Sequence, residues 1–140
     1  MSSDSIRLAS LGLGWWSDVL ADAVLRAPGV EIASCYSRSE EKRKTFAKNF
    51  NCDAANSYEE ILSDPNIDGI INTTPNNVHL ETTSQAAAAG KHVFLDKPIA
   101  NSVAEGMEIT RICKEAGVKL SIGFQRRREN QFRWINKLSL

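Results

Sequence analysis

Short apolar runs alternate with longer segments of helical spacing along almost the whole chain, and most of the joins carry a glycine. Ile6 to Leu11 ends at Gly12; after Gly14 the segment Trp15 to Leu25 brings Val19, Ala23 and Arg26 to helical spacing, and Pro28-Gly29 stop it. Val30 to Tyr36 is a second strand-like run, after which Ser39 caps a charged helix from Glu40 to Asn49 that turns Phe46 and Ala47 inward. A short strand at Asp53 to Ala55 precedes Ser57 and Glu60, spaced as a capping box, which open a brief helix ending near Leu62 before the Asp64-Pro65 turn. Ile67 to Asn72 reads as a buried strand, Val78 to Ala89 as an alanine-rich helix closed by Gly90, and His92 to Leu95 as the next strand. Ser102 with Glu105 opens a helix to Ala116, Gly117 ends it, and Val118 to Ile122 supplies a last strand. Such alternation predicts an α/β fold: a parallel sheet covered by helices on both faces, in three α/β/α layers.

Within that pattern Gly12-Leu13-Gly14-Trp15-Trp16-Ser17 stands directly after a strand and opens a helix. The first glycine permits the tight turn, the second lets the backbone approach a pyrophosphate, and the helix N-terminus offers unpaired N–H groups to the anion. The third glycine of the usual GxGxxG pattern is replaced by Ser17, a small residue that can still sit where helix and strand pack closely. The expected fold is therefore a Rossmann-type doubly wound parallel sheet over residues 1–123, binding a nicotinamide dinucleotide. Trp15 and Trp16 flank the phosphates; each either packs on the core or helix start, or wedges against the cofactor or another domain.

The choice between NAD and NADP rests on the end of the second strand. An acidic residue ~20 positions past the glycines would hold the adenine ribose hydroxyls and repel a 2′-phosphate. Here the sequence reads Ser37-Arg38-Ser39, with Lys42 and Arg43 one helical turn on. A hydroxyl and a guanidinium in place of the carboxylate point to NADP(H), with NAD(H) open if Arg38 merely stacks on the adenine ring.

Composition narrows the partners. Seventeen basic residues balance seventeen acidic ones, so no net field draws the chain to nucleic acid or an anionic membrane surface, and Arg126-Arg127-Arg128 is too short a run to change that. No stretch approaches the ~18 apolar residues needed to span a bilayer, and the N-terminus lacks the apolar core of a signal peptide. The three cysteines, Cys35, Cys52 and Cys113, have no CxxC spacing, which suggests neither a disulfide framework nor a zinc site and fits a cytoplasmic protein. After Gly123, Phe132, Ile135 and Leu138 fall at helical spacing beside Trp134; residues 124–140 read as a linker helix or the start of a substrate domain that is absent, and its exposed apolar face predicts self-association into a homo-oligomer.

Two further segments are more specific. Thr73-Thr74-Pro75-Asn76 is followed by His79, and Gly90-Lys91-His92-Val93 leads into Asp96-Lys97-Pro98. With the glycine turn, these resemble the N-terminal domain of the Gfo/Idh/MocA family, the group of glucose-fructose oxidoreductase and inositol dehydrogenase, over nearly the whole chain. The resemblance implies that Thr73, Thr74, Pro75 and Asn76 form the turn under the nicotinamide half, with His79 facing the cofactor and Gln125 reaching the same region. It also implies that Lys97 stands near the nicotinamide ribose and the reacting carbon, and that Pro98 follows a cis peptide bond. The family usually has Glu where this chain has Asp96, one methylene shorter. The cofactor-binding set is then Gly12, Leu13, Gly14, Trp15, Trp16, Ser37, Arg38, Lys42, Thr73, Thr74, Pro75, Asn76, His79, Asp96, Lys97, Pro98 and Gln125.

The chemistry asks for a lysine such as Lys97, because hydride transfer at a carbon bearing oxygen develops alkoxide charge that an ammonium stabilises or protonates. The family's second α/β domain, which carries the substrate pocket, is absent from this sequence. The expectation is the cofactor-binding half of an oxidoreductase acting on the C–OH/C=O of a sugar, polyol or related small molecule, inactive by itself. The alternative is a stand-alone nicotinamide-nucleotide-binding or sensor module.

Overall fold

The computed structural model describes residues 5–129. Six strands form one sheet in the order β3-β2-β1-β4-β5-β6, and every pairing is parallel. The strands are β1 (Ile6–Leu11), β2 (Val30–Tyr36), β3 (Asp53–Ala54), β4 (Gly69–Asn72), β5 (His92–Leu95) and β6 (Leu120–Ile122). Five helices alternate with them: α1 (Trp15–Leu25), α2 (Glu40–Phe50), α3 (Tyr58–Ser63), α4 (His79–Ala88) and α5 (Val103–Glu115). This is the Rossmann-type sheet that the alternation of apolar runs predicts.

The strands are too apolar to leave either face wet, and each face has its own core. Leu13, Ala21, Ile32, Cys35, Phe46 and Ile71 pack with α1 and α2 on one side. Ala9, Leu11, Tyr58, Ile61, Ile70, Leu95 and Ile109 pack with α3, α4 and α5 on the other. Ile70 and Ile71, adjacent in β4, serve opposite faces because successive strand side chains point to opposite sides.

Capping sets the helix starts as the sequence implies. Ser39, Ser57 and Ser102 each accept the backbone N–H three residues on, from Lys42, Glu60 and Glu105 respectively. Three boundaries differ from expectation. The last strand starts at Leu120 rather than Val118, because Val118 donates its N–H to the Cys113 carbonyl and completes the helix stop around Gly117, whose φ is +70°. The fourth begins at Gly69, since Ile67, although buried, bonds back to Asp64 within the turn. The helix expected from Val78 opens instead as a 3-10 turn over Asn76–Val78 and becomes α-helical at His79. The apolar spacing of Phe132, Trp134, Ile135 and Leu138 lies outside the described residues.

Candidate dinucleotide-binding site

The strand order reverses between β1 and β4, and the crevice beyond the carboxyl ends of strands at such a point is where ligands bind in doubly wound sheets. A cleft of about 590 Å³ lies there, lined among others by Gly12, Leu13 and Gly14 of the first turn, Ser37 to Ser39, and Thr73 to Pro75.

The turn after β1 is shaped by its two glycines. Gly12 has φ +82°, and a Cβ there would stand 2.8 Å from the Thr74 nitrogen and 2.9 Å from the Thr73 carbonyl carbon. Only glycine satisfies both the left-handed backbone and that approach. Thr73 reinforces the crossing by donating its hydroxyl to the Gly12 carbonyl at 2.5 Å and its N–H to the Leu11 carbonyl at 2.8 Å. A Cβ on Gly14 would meet nothing within 4 Å, so the backbone there stands open to an approaching group. The first intrahelical bond of α1 runs from the Asp18 N–H to the Gly14 carbonyl, which leaves the N–H groups of Trp15, Trp16 and Ser17 without helical acceptors. Ser17, 1% exposed, accepts the Gly14 N–H at 2.9 Å and donates back to the Gly14 carbonyl at 2.6 Å. The third glycine is thus replaced by a residue small enough to be buried that also fastens the helix start. These features fit a pyrophosphate held by Leu13 to Ser17 backbone amides.

The far end of the cleft carries Ser37, Arg38, Ser39 and Lys42. No carboxylate of the described residues forms an ion pair with Arg38 or Lys42, so both cations are unspent. Arg43, which does not line the cleft, holds this loop from beneath: its Nη1 donates to the Ser37 carbonyl at 2.7 Å and its guanidinium lies 5.6 Å from the Tyr36 ring centroid. Opposite, Val78, Glu81 and Thr82 present one face of α4, above Tyr58, whose hydroxyl donates to the Thr82 carbonyl at 2.9 Å. Burial pushes the Tyr58 phenol well above its ordinary range, so it remains a neutral donor.

On the other side of the turn, Asn72 organises the segment under the nicotinamide end. Its Oδ1 accepts from the Thr74 hydroxyl at 2.7 Å and the Thr74 N–H at 3.1 Å, and its Nδ2 donates to Thr82 Oγ1 at 2.8 Å. The Asn72 carbonyl accepts the Asp96 N–H at 2.9 Å, tying the ends of β4 and β5 together. Lys97 follows directly, exposed, and the Lys97–Pro98 bond is cis.

Several expected contacts are redistributed. His79 does not face the cofactor: it is 0% exposed, with Nε2 2.9 Å from the Thr74 carbonyl and Nδ1 3.1 Å from the Pro98 carbonyl. It fastens the Thr74 turn to the Lys97-Pro98 segment because α4 turns this position toward the core. Trp15 is 76% exposed and borders an adjoining groove between α1 and α2 rather than the cleft; Trp16 stacks beside it at 5.5 Å, tilted, with a buried Nε1 that has no acceptor among the described residues. Asn76, Asp96, Pro98 and Gln125 also stand outside the cleft lining. Asp96 Oδ1 is buried without a partner among the described residues, 3.4 Å from where a Cβ on Gly123 would stand. Among the cleft residues, sequence reasoning missed Tyr58, Asn77, Val78, Glu81 and Thr82; the i, i+3, i+4 spacing of Val78, Glu81 and Thr82 was the available signal.

Comparison with known proteins agrees with this geometry. Residues 6–124 match the oxidoreductase family with an NAD-binding Rossmann fold that includes glucose-fructose oxidoreductase and inositol dehydrogenase. The chain belongs to the Gfo/Idh/MocA family. It is 34% identical over 96% of its length to scyllo-inositol 2-dehydrogenase (NADP(+)) of Bacillus subtilis, and 37% identical over 69% of its length to 1,5-anhydro-D-fructose reductase of Ensifer adhaerens. These matches cover 37% and 29% of the two relatives. Two solved structures superpose closely over 98% of the chain and 40% of their own: a putative NADPH-dependent oxidoreductase of Desulfitobacterium hafniense, with TM-score 0.92 and 34% identity, and the WlbA dehydrogenase of Bordetella pertussis in complex with NADH and UDP-GlcNAcA, with TM-score 0.91 and 25% identity. The chain therefore spans about two fifths of the length of these family members, the part that carries their NAD(P)-binding domain. No helix among the described residues is long and apolar enough to cross a membrane, and no group of them is arranged to hold a metal ion.

Proposed function

We propose that this chain is the NADP(H)-binding half of an oxidoreductase that moves a hydride to or from the C–OH/C=O carbon of a sugar or polyol, with Lys97 as its catalytic residue. The observation that carries the cofactor choice is the cleft end built from Ser37, Arg38, Ser39 and Lys42, two unspent cations and two hydroxyls where an NAD-selective site would place a carboxylate. A guanidinium and an ammonium at that point suit a 2′-phosphate, with Arg43 holding the loop at the height the phosphate requires.

When bound, the nicotinamide supplies or accepts the hydride. The chain's own residues do the rest. Leu13 to Ser17 offer backbone donors to the pyrophosphate, and the Thr73-Thr74-Pro75 turn, fixed by Asn72 and His79, supports the nicotinamide end. Lys97 holds a positive charge beside the carbon whose oxygen gains charge, and passes a proton to or from that oxygen. The sugar or polyol class follows the relatives that act on scyllo-inositol and 1,5-anhydro-D-fructose. In this reading the chain binds cofactor and, lacking the remainder of its relatives' length, turns over no substrate alone.

Titration of the chain with NADPH and with NADH, read by nicotinamide fluorescence, tests the proposal. Tighter binding of NADPH, lost in Arg38→Ala, supports it. Equal affinities unaffected by Arg38→Ala overturn the cofactor choice, and no binding of either overturns the site.

A further inference from the structure

Two cysteines that the sequence separates by a helix meet beside the adenosine end of the cleft. Cys35 lies in β2 immediately before Tyr36 and is 0% exposed; Cys52 is half-buried and directly precedes β3. The parallel register sets Cys35 against Ala54 and Ser34 against Asp53, so Cys52, an even number of residues before Ala54, returns to the same face of the sheet. Both side chains pack with Phe46 and Ile32 under α2, and their thiols are in hydrogen-bond contact. Cys113 lies apart, in the core beneath α5.

We propose that Cys35 and Cys52 form a reversible disulfide under peroxide, and that closing it weakens dinucleotide binding at the cleft. The two sulfurs have unequal roles. Cys52, the more accessible, is held below the ordinary thiol range chiefly by the hydrogen bond that Cys35 offers its thiolate, so it is the attacking nucleophile. Cys35 keeps its proton, held by that bond and by burial. Asp53 opposes ionisation of both sulfurs, and Arg43 favours that of Cys35. The Cys52 thiolate attacks hydrogen peroxide, the O–O bond breaks, and Cys52 becomes a sulfenic acid as hydroxide leaves. The Cys35 sulfur then attacks the Cys52 sulfur; the S–S bond forms, the S–O bond breaks, and the departing oxygen takes the Cys35 proton and leaves as water. The two thiols are oxidised and the peroxide is reduced to water; a dithiol reductant reverses the exchange.

The link reaches the cleft through Arg43. In the reduced protein Cys35 Sγ donates to the Arg43 carbonyl at 3.6 Å, while the same residue's Nη1 holds the Ser37 carbonyl at 2.7 Å and its guanidinium stacks on Tyr36. Oxidation removes the thiol proton and leaves a sulfur lone pair facing that carbonyl. It also draws the sulfurs to the ~2.05 Å of a disulfide, pulling on the strand that runs into Tyr36-Ser37-Arg38.

The affinity effect rests on the cofactor reading above; formation of the bond does not. The full chain is treated with hydrogen peroxide and digested without reduction, and three readouts are followed: a Cys35–Cys52 linked peptide, hydrogen exchange of residues 36–43, and NADPH affinity. The expected result is the linked peptide, faster exchange in residues 36–43, and NADPH affinity lower by about fivefold or more, all reversed by dithiothreitol and absent in Cys52→Ser. Absence of the linked peptide, or a linked peptide with exchange in residues 36–43 unchanged, overturns the inference. If reduced protein binds no NADPH at all, the cofactor reading fails, and the exchange readout still decides whether the disulfide acts on this loop.

Discussion

Individual residues in this cleft do work that their positions in the sequence only partly announce. Arg38 is the sharpest case, since a guanidinium facing a 2′-phosphate makes charge-assisted bonds that the unphosphorylated ribose cannot. Arg38→Ala is expected to lower NADPH affinity by roughly tenfold to a hundredfold while leaving NADH within about twofold, measured by the fluorescence titration. Gly12 is decided by space as well as by φ. Gly12→Ala places a Cβ 2.8 Å from the Thr74 nitrogen on a backbone at φ +82°, and is expected to destabilise the domain by about 2–4 kcal/mol in a denaturant melt. Lys97 stands outside that framework, exposed at the end of β5. In any chain long enough to turn over, Lys97→Ala is expected to lower kcat by about 10²- to 10⁴-fold with NADPH affinity changed by less than about threefold. Of the site residues, Arg38 and the glycines could be read directly because their chemistry is local. His79 could not: its spacing after Thr-Pro-Asn marks it, but only α4's rotation shows that it bonds two loops instead of the cofactor.

At the scale of elements, the strand ends matter more than the strands. Ser17 closes a reciprocal pair with Gly14 at the start of α1, and this pair holds the helix whose N-terminus faces the cleft. Ser17→Ala is expected to cost about 1 kcal/mol of stability, whereas Ser17→Val, adding bulk at a buried helix–strand contact, costs more; thermal melts of the two variants order them. The Asn72 carboxamide links the β4 turn to α4, and His79 links the same turn to the segment after β5, so the nicotinamide end is supported by two independent ties. Replacing His79 by Leu leaves two buried carbonyls without their donor, with an expected loss of roughly 2–3 kcal/mol. Helix starts were legible to the residue because a Ser followed three positions later by an available N–H is a local event. The end of α5 was not, since Val118 is apolar and β-branched like a strand residue, yet its N–H belongs to the helix stop.

For the whole molecule, binding energy and fold stability are coupled through the cleft. It draws on the ends of β1, β2 and β4 and on α3 and α4, so a ligand there favours the folded chain over the unfolded one. NADPH at about a hundred times its Kd is expected to add ~2.7 kcal/mol of stability, visible as a raised melting temperature, and NADH at the same concentration less. The fold class was determined by the sequence alone, because alternation of period and glycine punctuation along the chain is independent of how the chain closes. The same holds for the phosphate turn and for the cationic loop, whose residues are neighbours in sequence. What only the tertiary structure decided is every relation across the sheet. These are the meeting of Cys35 with Cys52, Arg43's hold on Ser37, the burial of His79 and the cleft face of Glu81. Each depends on strand register and helix rotation, which are set by packing between segments distant in sequence.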